Sequence, residues 1–300
     1  MYVVTGASGN TGGALATTLL DAGQKVRVIA RNPDHLRKFA SRGAETVAAD
    51  LTDTAKLTTA FTGAKGVYAM IPPDPSTTDL FAYDEKIVAS LVAALTKAKV
   101  PYVVSLSSVG ADKSSGTGPV LGLRRMEEAL NAVPGLNTLH LRACYFMENT
   151  LGQVGIIPAM GKAAGPIEPD LKLPMIAAHD IGVAAADDLL KLSFQGHQTR
   201  ELLGQRDISY VEAASIIGKA IGKPDLSYVR LPNEQLLPAL TKMGMSENFA
   251  KLLLEMTDAI NSGNMRPLEP RSPRNTTPTS FETFVQEKFV PAYQHASAAA

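Results

Sequence analysis

The chain has little of what disulfide-stabilised, nucleic-acid-binding or membrane proteins need. It has one cysteine, Cys144, among 300 residues, so no internal disulfide can form, and we expect a reducing, cytoplasmic setting. Its 29 basic residues balance 29 acidic ones, and because phosphate binding needs clustered lysine and arginine, nucleic-acid binding is not expected. No apolar run approaches the roughly 18–20 residues that span a bilayer. We expect neither a membrane span nor a secretory signal peptide, since residue 2 already starts a strand.

Two kinds of catalytic centre are also missing from the sequence. No two of its five histidines stand at metal-ligand spacing, and the single cysteine has no partner, so we expect no metal site. His140 falls on a predicted strand and is expected to be structural. His179 precedes Asp180, the expected N-cap of a helix, and is a weaker candidate for a cleft residue. No Gly-x-Ser-x-Gly segment occurs, which argues against an α/β-hydrolase.

The first half of the chain alternates short apolar strands with helices. The predicted strands are Tyr2–Thr5, Val26–Arg31, Thr46–Ala49, Gly66–Ile71, Tyr102–Leu106 and Asn137–Arg142. One helix follows the first strand, and others are predicted over about Asp53–Phe61, Asp79–Ala98 and Pro119–Ala132. This alternation indicates right-handed βαβ units, and uniformly apolar strands are typical of parallel sheets buried on both faces. We therefore predict an α/β fold, a doubly wound parallel sheet of the Rossmann type.

The second half predicts a smaller α+β C-terminal substrate domain. Residues 150–176 are rich in glycine and proline and are expected to be loop-like. A helix is expected over Asp180–Leu190, and two capping boxes, Ser209–Glu212 and Thr279–Glu282, each start a further helix. Other predicted elements are a strand over Leu226–Leu231, helices near Asn233–Met243 and Ser246–Asn261, and a proline-rich connector over Pro267–Pro278. The expected Rossmann domain comprises residues 1–155 and about 175–204, the substrate domain about 156–174 and 205–294, and residues 295–300 form a disordered tail.

The strongest chemical signal is a glycine-rich loop between the first strand and the first helix. Its glycines have the spacing GxxGxxG in the segment GASGNTG, residues 6–12. Glycine lets the backbone turn tightly and approach a ligand, and the following helix N-terminus offers free N–H groups to a pyrophosphate. A merely tight turn is the alternative, but the strand before and the helix after favour dinucleotide binding. The candidate pyrophosphate-binding residues are Gly6, Ser8, Gly9, Asn10, Thr11 and Gly12.

The end of the second strand indicates NADP rather than NAD. An NAD site usually has Asp or Glu about 20 residues beyond the glycines, where it holds the ribose hydroxyls. Here Arg31 ends the strand, and no acid occurs between Gln24 and Pro33. An arginine can pair with a 2′-phosphate and stack on adenine. Arg37 and Lys38 are possible helpers.

Further candidates for the cofactor site follow the third and fourth strands. The Asp50 carboxylate, followed by Leu51, is placed to accept a hydrogen bond from the adenine amino group or, alternatively, to cap the next helix. Met70, Ile71 and Pro72 leave the fourth strand at the carboxyl edge of the sheet. Ligands of open parallel sheets bind at this edge.

Together these motifs resemble the NmrA-like family, an atypical group within the short-chain dehydrogenase/reductase superfamily. The resemblance is carried by GASGNTGG in the loop, ARNP at the second strand, the Asp50-Leu51 pair and LRACYFMEN at 141–149. It continues in HDIGVAAADDLL, ISYVEAASIIGKAIGK and PRNTTPTSFETF. The resemblance implies a Rossmann domain with bound NADP and a small C-terminal domain that forms one wall of a cleft. Members include NADPH-dependent quinone, azo-dye and triphenylmethane-dye reductases, and redox sensors that bind NADP without turning it over.

The superfamily's proton donor has no counterpart in this sequence. Its dehydrogenases use a Tyr-x-x-x-Lys pair, and none of the eight tyrosines here has a lysine four residues later. By the resemblance, the Tyr position falls near Pro119 and the Lys position near Leu123, where many family reductases carry histidine. Ser108 matches the superfamily serine or else only closes a strand end. Alcohol and ketone chemistry is therefore not expected, whereas a conjugated acceptor delocalises the incoming electrons and can be protonated from water.

The candidate walls of the substrate cleft leave the sixth strand together with Arg142. Tyr145, Phe146 and Asn149 are expected to line it, and the two rings are placed to flank nicotinamide or a flat substrate. A plain interdomain core is the alternative for both rings. Three methionines offer an adaptable apolar lining or else fill the core; they are Met160, Met243 and Met245.

We therefore predict an NADPH-dependent reductase of quinone, azo or similar conjugated acceptors that works by direct hydride transfer. Its substrate would be an aromatic or quinone-like small molecule. The alternative is a non-catalytic NADP-binding redox sensor that regulates a partner protein. A monomer or a homodimer is expected.

Overall fold

The computed structural model describes residues 1–299 as twelve strands and twelve α-helices. The strands are β1 (Tyr2–Val4), β2 (Val26–Ala30), β3 (Glu45–Ala48), β4 (Gly66–Ala69), β5 (Tyr102–Ser108), β6 (Asn137–Ala143), β7 (Tyr145–Phe146), β8 (Ala163–Gly165), β9 (Leu173–Ile176), β10 (His197–Leu202), β11 (Asp207–Ile208) and β12 (Tyr228–Arg230). The helices are α1 (Asn10–Asp21), α2 (Arg37–Ala40), α3 (Thr54–Phe61), α4 (Leu80–Ala98), α5 (Val120–Asn131), α6 (Gln153–Met160), α7 (Ala178–Lys191), α8 (Tyr210–Ala220), α9 (Asn233–Lys242), α10 (Glu247–Asn261), α11 (Phe281–Phe284) and α12 (Val290–Ala299). A π-helical segment, Val285–Phe289, joins the last two helices.

Seven parallel strands form the central sheet, in the order β10-β6-β5-β4-β1-β2-β3. Tyr2 pairs with Val26 on one side and with Gly66 on the other, so β1 lies between β2 and β4. The chain winds outward in one direction through β2 and β3, and in the other through β5, β6 and β10. The predicted doubly wound α/β fold is confirmed. Its switch point lies between β1 and β4, where ligands of such sheets bind.

Helices cover both faces of this sheet. On one face α1 and α7 pack so closely that a Cβ on Gly182 would lie 2.4 Å from the Thr11 carbonyl oxygen. On the other face, Leu57 of α3, Leu91 of α4 and Met126 of α5 share one buried core. The inner strands β1 and β4 are buried along their whole length, as expected for strands that are covered on both faces.

A third core lies among the C-terminal elements and gathers side chains such as Ile217, Phe281 and Phe289. It is built around two small sheets, β11-β9-β7 and β12-β8. Ser209 caps α8 by accepting from the Glu212 N–H, as predicted. At the second capping box the cap is Ser280, which accepts from the Thr283 N–H. The domain boundaries given above stay a prediction.

The proline-rich connector after α10 is fastened to the central part of the molecule. The Leu268 and Glu269 N–H groups donate to the buried carboxylate of Glu201 on β10, at 2.9–3.0 Å. The Leu203 N–H donates to the Asn275 carbonyl oxygen at 2.7 Å. Asp180 does not cap α7, whose N-cap is Ala177; its carboxylate instead accepts from the N–H and Oγ1 of Thr279. The connector therefore links two parts of the chain that are far apart in sequence.

Several elements differ from the sequence prediction. The seventh strand, β10, was not predicted, because its first three residues are exposed and polar. The segment 150–176, predicted to be loop-like, contains α6, β8 and β9. The final helix reaches Ala299, whereas residues 295–300 were predicted to form a disordered tail; Ala300 lies outside the described residues.

His140 is buried in β6 and is held by hydrogen bonds. Its Nδ1 lies 2.6 Å from Ser105 Oγ, and its Nε2 lies 2.9 Å from Asn131 Oδ1. Burial lowers the pKa of this imidazole to about 4. Within residues 1–299, no group of three histidine, cysteine or acidic side chains is placed to hold a metal ion. Over the same part of the chain, no helix has the length and apolar character that crossing a membrane requires.

Candidate active site

The glycine-rich loop after β1 folds into a tight cradle. Gly6 has a φ of +63°, a left-handed conformation that glycine adopts without strain. A Cβ on Gly12 would lie 2.4 Å from the Gly6 carbonyl oxygen, so this position requires glycine. At Gly9 the nearest atom to such a Cβ is 3.4 Å away. The loop is therefore closed on the protein side at Gly12 and open at Gly9.

The open side of the cradle presents the N-terminus of α1. Gly9 is the N-cap residue and offers no side-chain cap to the first-turn N–H groups. Ser8 and Asn10 are exposed, and their side chains have no partner among residues 1–299. Thr11 is buried, and its Oγ1 accepts a hydrogen bond from the Tyr68 hydroxyl at 3.0 Å. Uncapped N–H groups at a positive helix end fit a pyrophosphate.

Three predicted cofactor residues lie on the side of β2 and β3. Arg31 is exposed just beyond β2 and has no ion-pair partner within residues 1–299. The Asp50 carboxylate accepts from Thr52 Oγ1 at 2.7 Å and from the Thr52 N–H at 2.9 Å. These hydrogen bonds, and more weakly the charge of Arg31, lower the pKa of Asp50. Leu51 is buried in the core.

The alternative role of Asp50 as a helix cap is wrong. Asp53 caps α3 and accepts from the Lys56 N–H at 3.0 Å. The two possible helpers of Arg31 have local partners: Arg37 pairs with Asp34 at 2.8 Å, and Lys38 lies over the ring of Phe39. Arg31 therefore remains the cation available at this end of the cradle.

A cavity of about 680 Å³ begins at the cradle and continues along the carboxyl edge of the sheet. Its floor includes Gly6, Gly9, Met70, Ile71 and Ser108. The opposite wall comes from α10 and the residues after it: Phe249, Met256, Ile260 and Met265. Pro72 does not line the cavity; its carbonyl oxygen accepts from the Tyr83 hydroxyl at 3.1 Å. One continuous cleft thus joins the two halves of the chain.

The deep end of the cleft contains the residues predicted to bind the substrate. Tyr145, Phe146 and Asn149 all line it. The Tyr145 hydroxyl lies 2.8 Å from that of Tyr210, and the two rings meet edge to face. Burial raises the pKa of Tyr145. Tyr145 therefore belongs both to the cleft and to the third core, so the two interpretations offered for it are not exclusive.

Two positions at the start of α5 carry no side chain that can transfer a proton. Pro119 and Leu123, where the superfamily resemblance places the Tyr and Lys, both line the cleft, and neither side chain can exchange a proton. Ser108 also lines the cleft, and its Oγ donates to the Val109 carbonyl oxygen at 2.9 Å. Any proton donor for chemistry here must come from another element.

Other side chains proposed for the cleft lie elsewhere. Arg142 forms a buried bidentate pair with Glu127 of α5, at 3.0 and 2.6 Å, and Ser107 also donates to Glu127. His179 is exposed on α7. None of the three predicted methionines lines the cavity; Met160 and Met243 are 47% and 78% exposed. Met256 and Met265 line the cavity instead. The helical spacing of apolar residues in α10 indicates a buried face, but it does not show that this face borders a cleft.

Sequence reasoning did not single out one ionisable group of the cleft, Asp84. It lies on α4, is only 5% exposed and lines the cavity. Burial raises the pKa of its carboxyl to about 7. No motif marks this aspartate, and its burial depends on how α4 packs against α5.

The chain is similar to known proteins both in sequence and in fold. The profile of the NmrA-like family matches residues 2–285. The chain is 28% identical over 258 residues to an NAD(P)H azoreductase of Xenophilus azovorans, covering 85% of this chain and 86% of that protein. An NADPH-dependent quinone oxidoreductase from Escherichia coli, complexed with NADPH, superposes with a TM-score of 0.76 at 21% identity, covering 100% and 99% of the two chains. For the Citrobacter sp. triphenylmethane reductase complexed with NADP(H), the TM-score is 0.76 at 21% identity, covering 95% and 99%.

Proposed function

The chain belongs to the NmrA-like family, and from this premise we propose that it is an NADPH-dependent reductase of quinones, azo compounds or similar conjugated acceptors. The observation that carries the proposal is the continuous cleft of about 680 Å³, which runs from the glycine cradle to an apolar pocket. A hydride donor and its acceptor must lie side by side, and one cleft with a phosphate-binding end provides both places. The azoreductase similar to this chain is named for such a reaction.

The residues at the cradle fit a dinucleotide. Gly12 fits the loop only because it lacks a Cβ, and Gly9 leaves the outer side free for a pyrophosphate. The unpaired Arg31 would hold a 2′-phosphate, and Asp50 would accept from the adenine amino group. When bound, NADPH supplies a hydride from its nicotinamide ring. Met70, Ile71 and Ser108 line the cleft beyond the loop and would position that ring.

The remaining part of the cleft suits a flat apolar acceptor. Phe146 on one side and Met256 with Met265 on the other present apolar surface, and methionine side chains adapt to different shapes. A conjugated acceptor spreads the incoming electron pair over its rings, so it needs less help from the protein than a ketone. With Pro119 and Leu123 in place of a Tyr–Lys pair, simple ketones would lack a proton donor at the usual position.

The test is NADPH oxidation followed by absorbance across a panel of quinones, azo compounds and aliphatic ketones. We expect turnover of at least one quinone or azo compound and none of the ketones. Robust turnover of a ketone would contradict the assignment of the acceptor class. NADPH oxidation by none of the conjugated compounds would contradict the reductase itself.

A second candidate function is an NADP-binding redox sensor that regulates a partner protein. The observation that favours it is the pair Pro119 and Leu123, which leaves the usual catalytic positions without a proton-transferring group. A sensor must bind NADP⁺ and NADPH with different affinities, because a ligand shifts an equilibrium only by its differential affinity. Calorimetric titration of both forms tests this: equal affinities together with acceptor turnover would exclude the sensor.

A further inference from the structure

Asp84 is a carboxyl group inside the cleft wall that has no structural partner. It lies on α4 and is 5% exposed. Neither of its oxygens has a hydrogen-bond or ion-pair partner among residues 1–299. Most buried polar groups in proteins are hydrogen-bonded, because an unsatisfied one costs stability. The Asp84 oxygens are not among the fully enclosed unpaired atoms of the described residues, so water or a ligand can reach a carboxyl that bonds to nothing in the protein.

The neighbouring helix is shaped around this carboxyl. A Cβ placed on Gly122 of α5 would lie 1.9 Å from Asp84 Oδ2. Any side chain at Gly122 would therefore displace the carboxyl from its position. Gly122 directly precedes Leu123, which lines the cleft where the superfamily lysine is absent. Asp84 lines the same cleft as Pro119 and Leu123, the two positions that lack a proton donor.

Asp84 also reaches the outside of the molecule. Besides the cleft, it lines a separate groove of about 300 Å³ on the outer side of α4 and α5. Glu85, Val92 and Arg125 line the same groove, and the Glu85 and Arg125 side chains pair across it at 3.0 Å. A group that borders both the cleft and an outer groove can exchange a proton with solvent while the cleft is filled.

We propose that Asp84 is the general acid of this site, donating a proton to the reduced acceptor on its cleft side and regaining one from water in the outer groove. The proposal rests on the reductase function proposed above. It assigns to α4 the proton transfer that the superfamily performs from α5.

The proton and electron balance is complete with these groups. A hydride from the reduced nicotinamide adds two electrons and one proton to the acceptor, which becomes an anion on oxygen or nitrogen. The O–H bond of Asp84 then breaks, and a new O–H or N–H bond forms on the acceptor. The carboxylate left behind takes a proton from water in the groove, which restores the starting state.

The protonation state of Asp84 suits this role near neutral pH. Burial raises the pKa of the carboxyl to about 7, the charge of Arg125 opposes this shift, and Glu85 adds to it. Tyr83, its neighbour on α4, is the other titratable group that interacts with Asp84. Since the acid form is the donor, kcat should fall as the pH rises through about 7.

The main test is Asp84→Asn, which keeps the volume of the side chain and removes its acidic proton. We expect kcat with an azo or quinone acceptor to fall about 100-fold, as is typical for loss of a positioned general acid. The KM for the acceptor and the affinity for NADPH should change less than about threefold, since the cofactor contacts lie elsewhere. The basic limb of the kcat–pH profile should disappear. The loss should be greater for acceptors whose reduced anions are more basic.

Two further measurements separate a catalytic role from a structural one. Glu128→Gln on α5 removes an exposed carboxylate that pairs with Arg124 and should leave kcat unchanged. Infrared difference spectra of the cofactor-free protein should show a protonated carboxyl band that disappears with a midpoint near pH 7 and is missing from Asp84→Asn.

The possible outcomes distinguish this inference from the proposed function. If the wild type reduces an acceptor and Asp84→Asn does so equally fast, the acid role is wrong while the reductase stands. If the infrared band titrates near pH 4 in the wild type, Asp84 is ionised at neutral pH and cannot be the donor. If no acceptor is reduced by the wild type, both proposals fail.

Discussion

At the scale of single residues, we propose that Arg31 sets the preference for NADPH over NADH. It directly follows β2 and has no ion-pair partner in the described part of the chain. A charge-assisted hydrogen bond contributes roughly 1.5–3 kcal/mol, which corresponds to about ten- to a hundredfold in affinity. In Arg31→Glu we therefore expect NADPH to bind about ten- to a hundredfold more weakly and NADH no worse than in the wild type, as measured by calorimetric titration.

The control for this variant is Lys97→Glu. Lys97 lies in the last turn of α4, at the end of the helix away from the cleft, and its reversal makes the same change in net charge. Two results would show that Arg31 does not bind the 2′-phosphate. One is a wild type that binds NADH and NADPH equally well, and the other is an Arg31→Glu protein that still prefers NADPH.

The tight glycine loop could be predicted from the sequence, whereas the positions of the ionisable groups around the cleft could not. Gly6 and Gly12 are needed by their own loop, whose strand–turn–helix context is local in sequence. The burial of Asp84 depends on Gly122, and Arg142 turns away from the cleft because Glu127 of α5 pairs with it. Such contacts join distant elements, so no local pattern indicates them.

At the scale of one element, the cradle and α1 form the unit that we propose to bind phosphate. Gly9 has extended backbone angles, φ −87° and ψ 177°, and a side chain there would extend outward into the space of the ligand. Gly9→Val should therefore fold normally and lose at least about tenfold in NADPH affinity, equivalent to about 1.4 kcal/mol. Calorimetry gives the affinity, and thermal unfolding of the cofactor-free protein gives the stability.

Gly155→Val provides the matched substitution. Gly155 lies on α6, and no atom comes within 4 Å of a Cβ built there. This variant should bind NADPH like the wild type. If Gly9→Val binds equally well, the loop is only a turn, and the cofactor site must be sought elsewhere.

Elements were predictable where their hydrophobic pattern is local. The apolar strands β1, β2 and β4 and the long helix α4 lie within a few residues of their predicted bounds. β10 lies at the edge of the sheet, where its polar residues face solvent. Its sequence therefore lacks the apolar pattern that predicts a strand. α6 was not predicted because it contains Pro158 and is followed by Gly161, and both residue types are typical of loops.

At the scale of the whole molecule, two parts of the chain supply the residues that line the cleft. The cradle belongs to the central sheet, whereas Met256 and Met265 reach the cleft from α10 and the residues after it. In a Met256→Ala, Met265→Ala double variant we expect the acceptor KM to rise about thirtyfold, since each truncation removes roughly 1 kcal/mol of apolar contact. The NADPH affinity should stay nearly unchanged. Steady-state kinetics and cofactor titration measure the two effects separately.

Met243→Ala is the control for the methionine variant, because Met243 is 78% exposed and lies outside the cleft. Tyr145 is less suitable than the methionines as a probe, since its truncation would also remove the hydrogen bond to Tyr210 and disturb the third core. Equal KM values in the double variant and the wild type would place the acceptor away from α10.

The fastening of the proline-rich connector limits how this protein can be recombined with its relatives. Glu201 on β10 and Asp180 on α7 belong to the central part, yet they bind backbone groups from residues 268–279. No single crossover point therefore separates the proposed acceptor-binding wall from the half that contains the glycine cradle. A chimaera that takes a new α10 from another member must bring a connector that still recognises both carboxylates, or replace those two acids along with it.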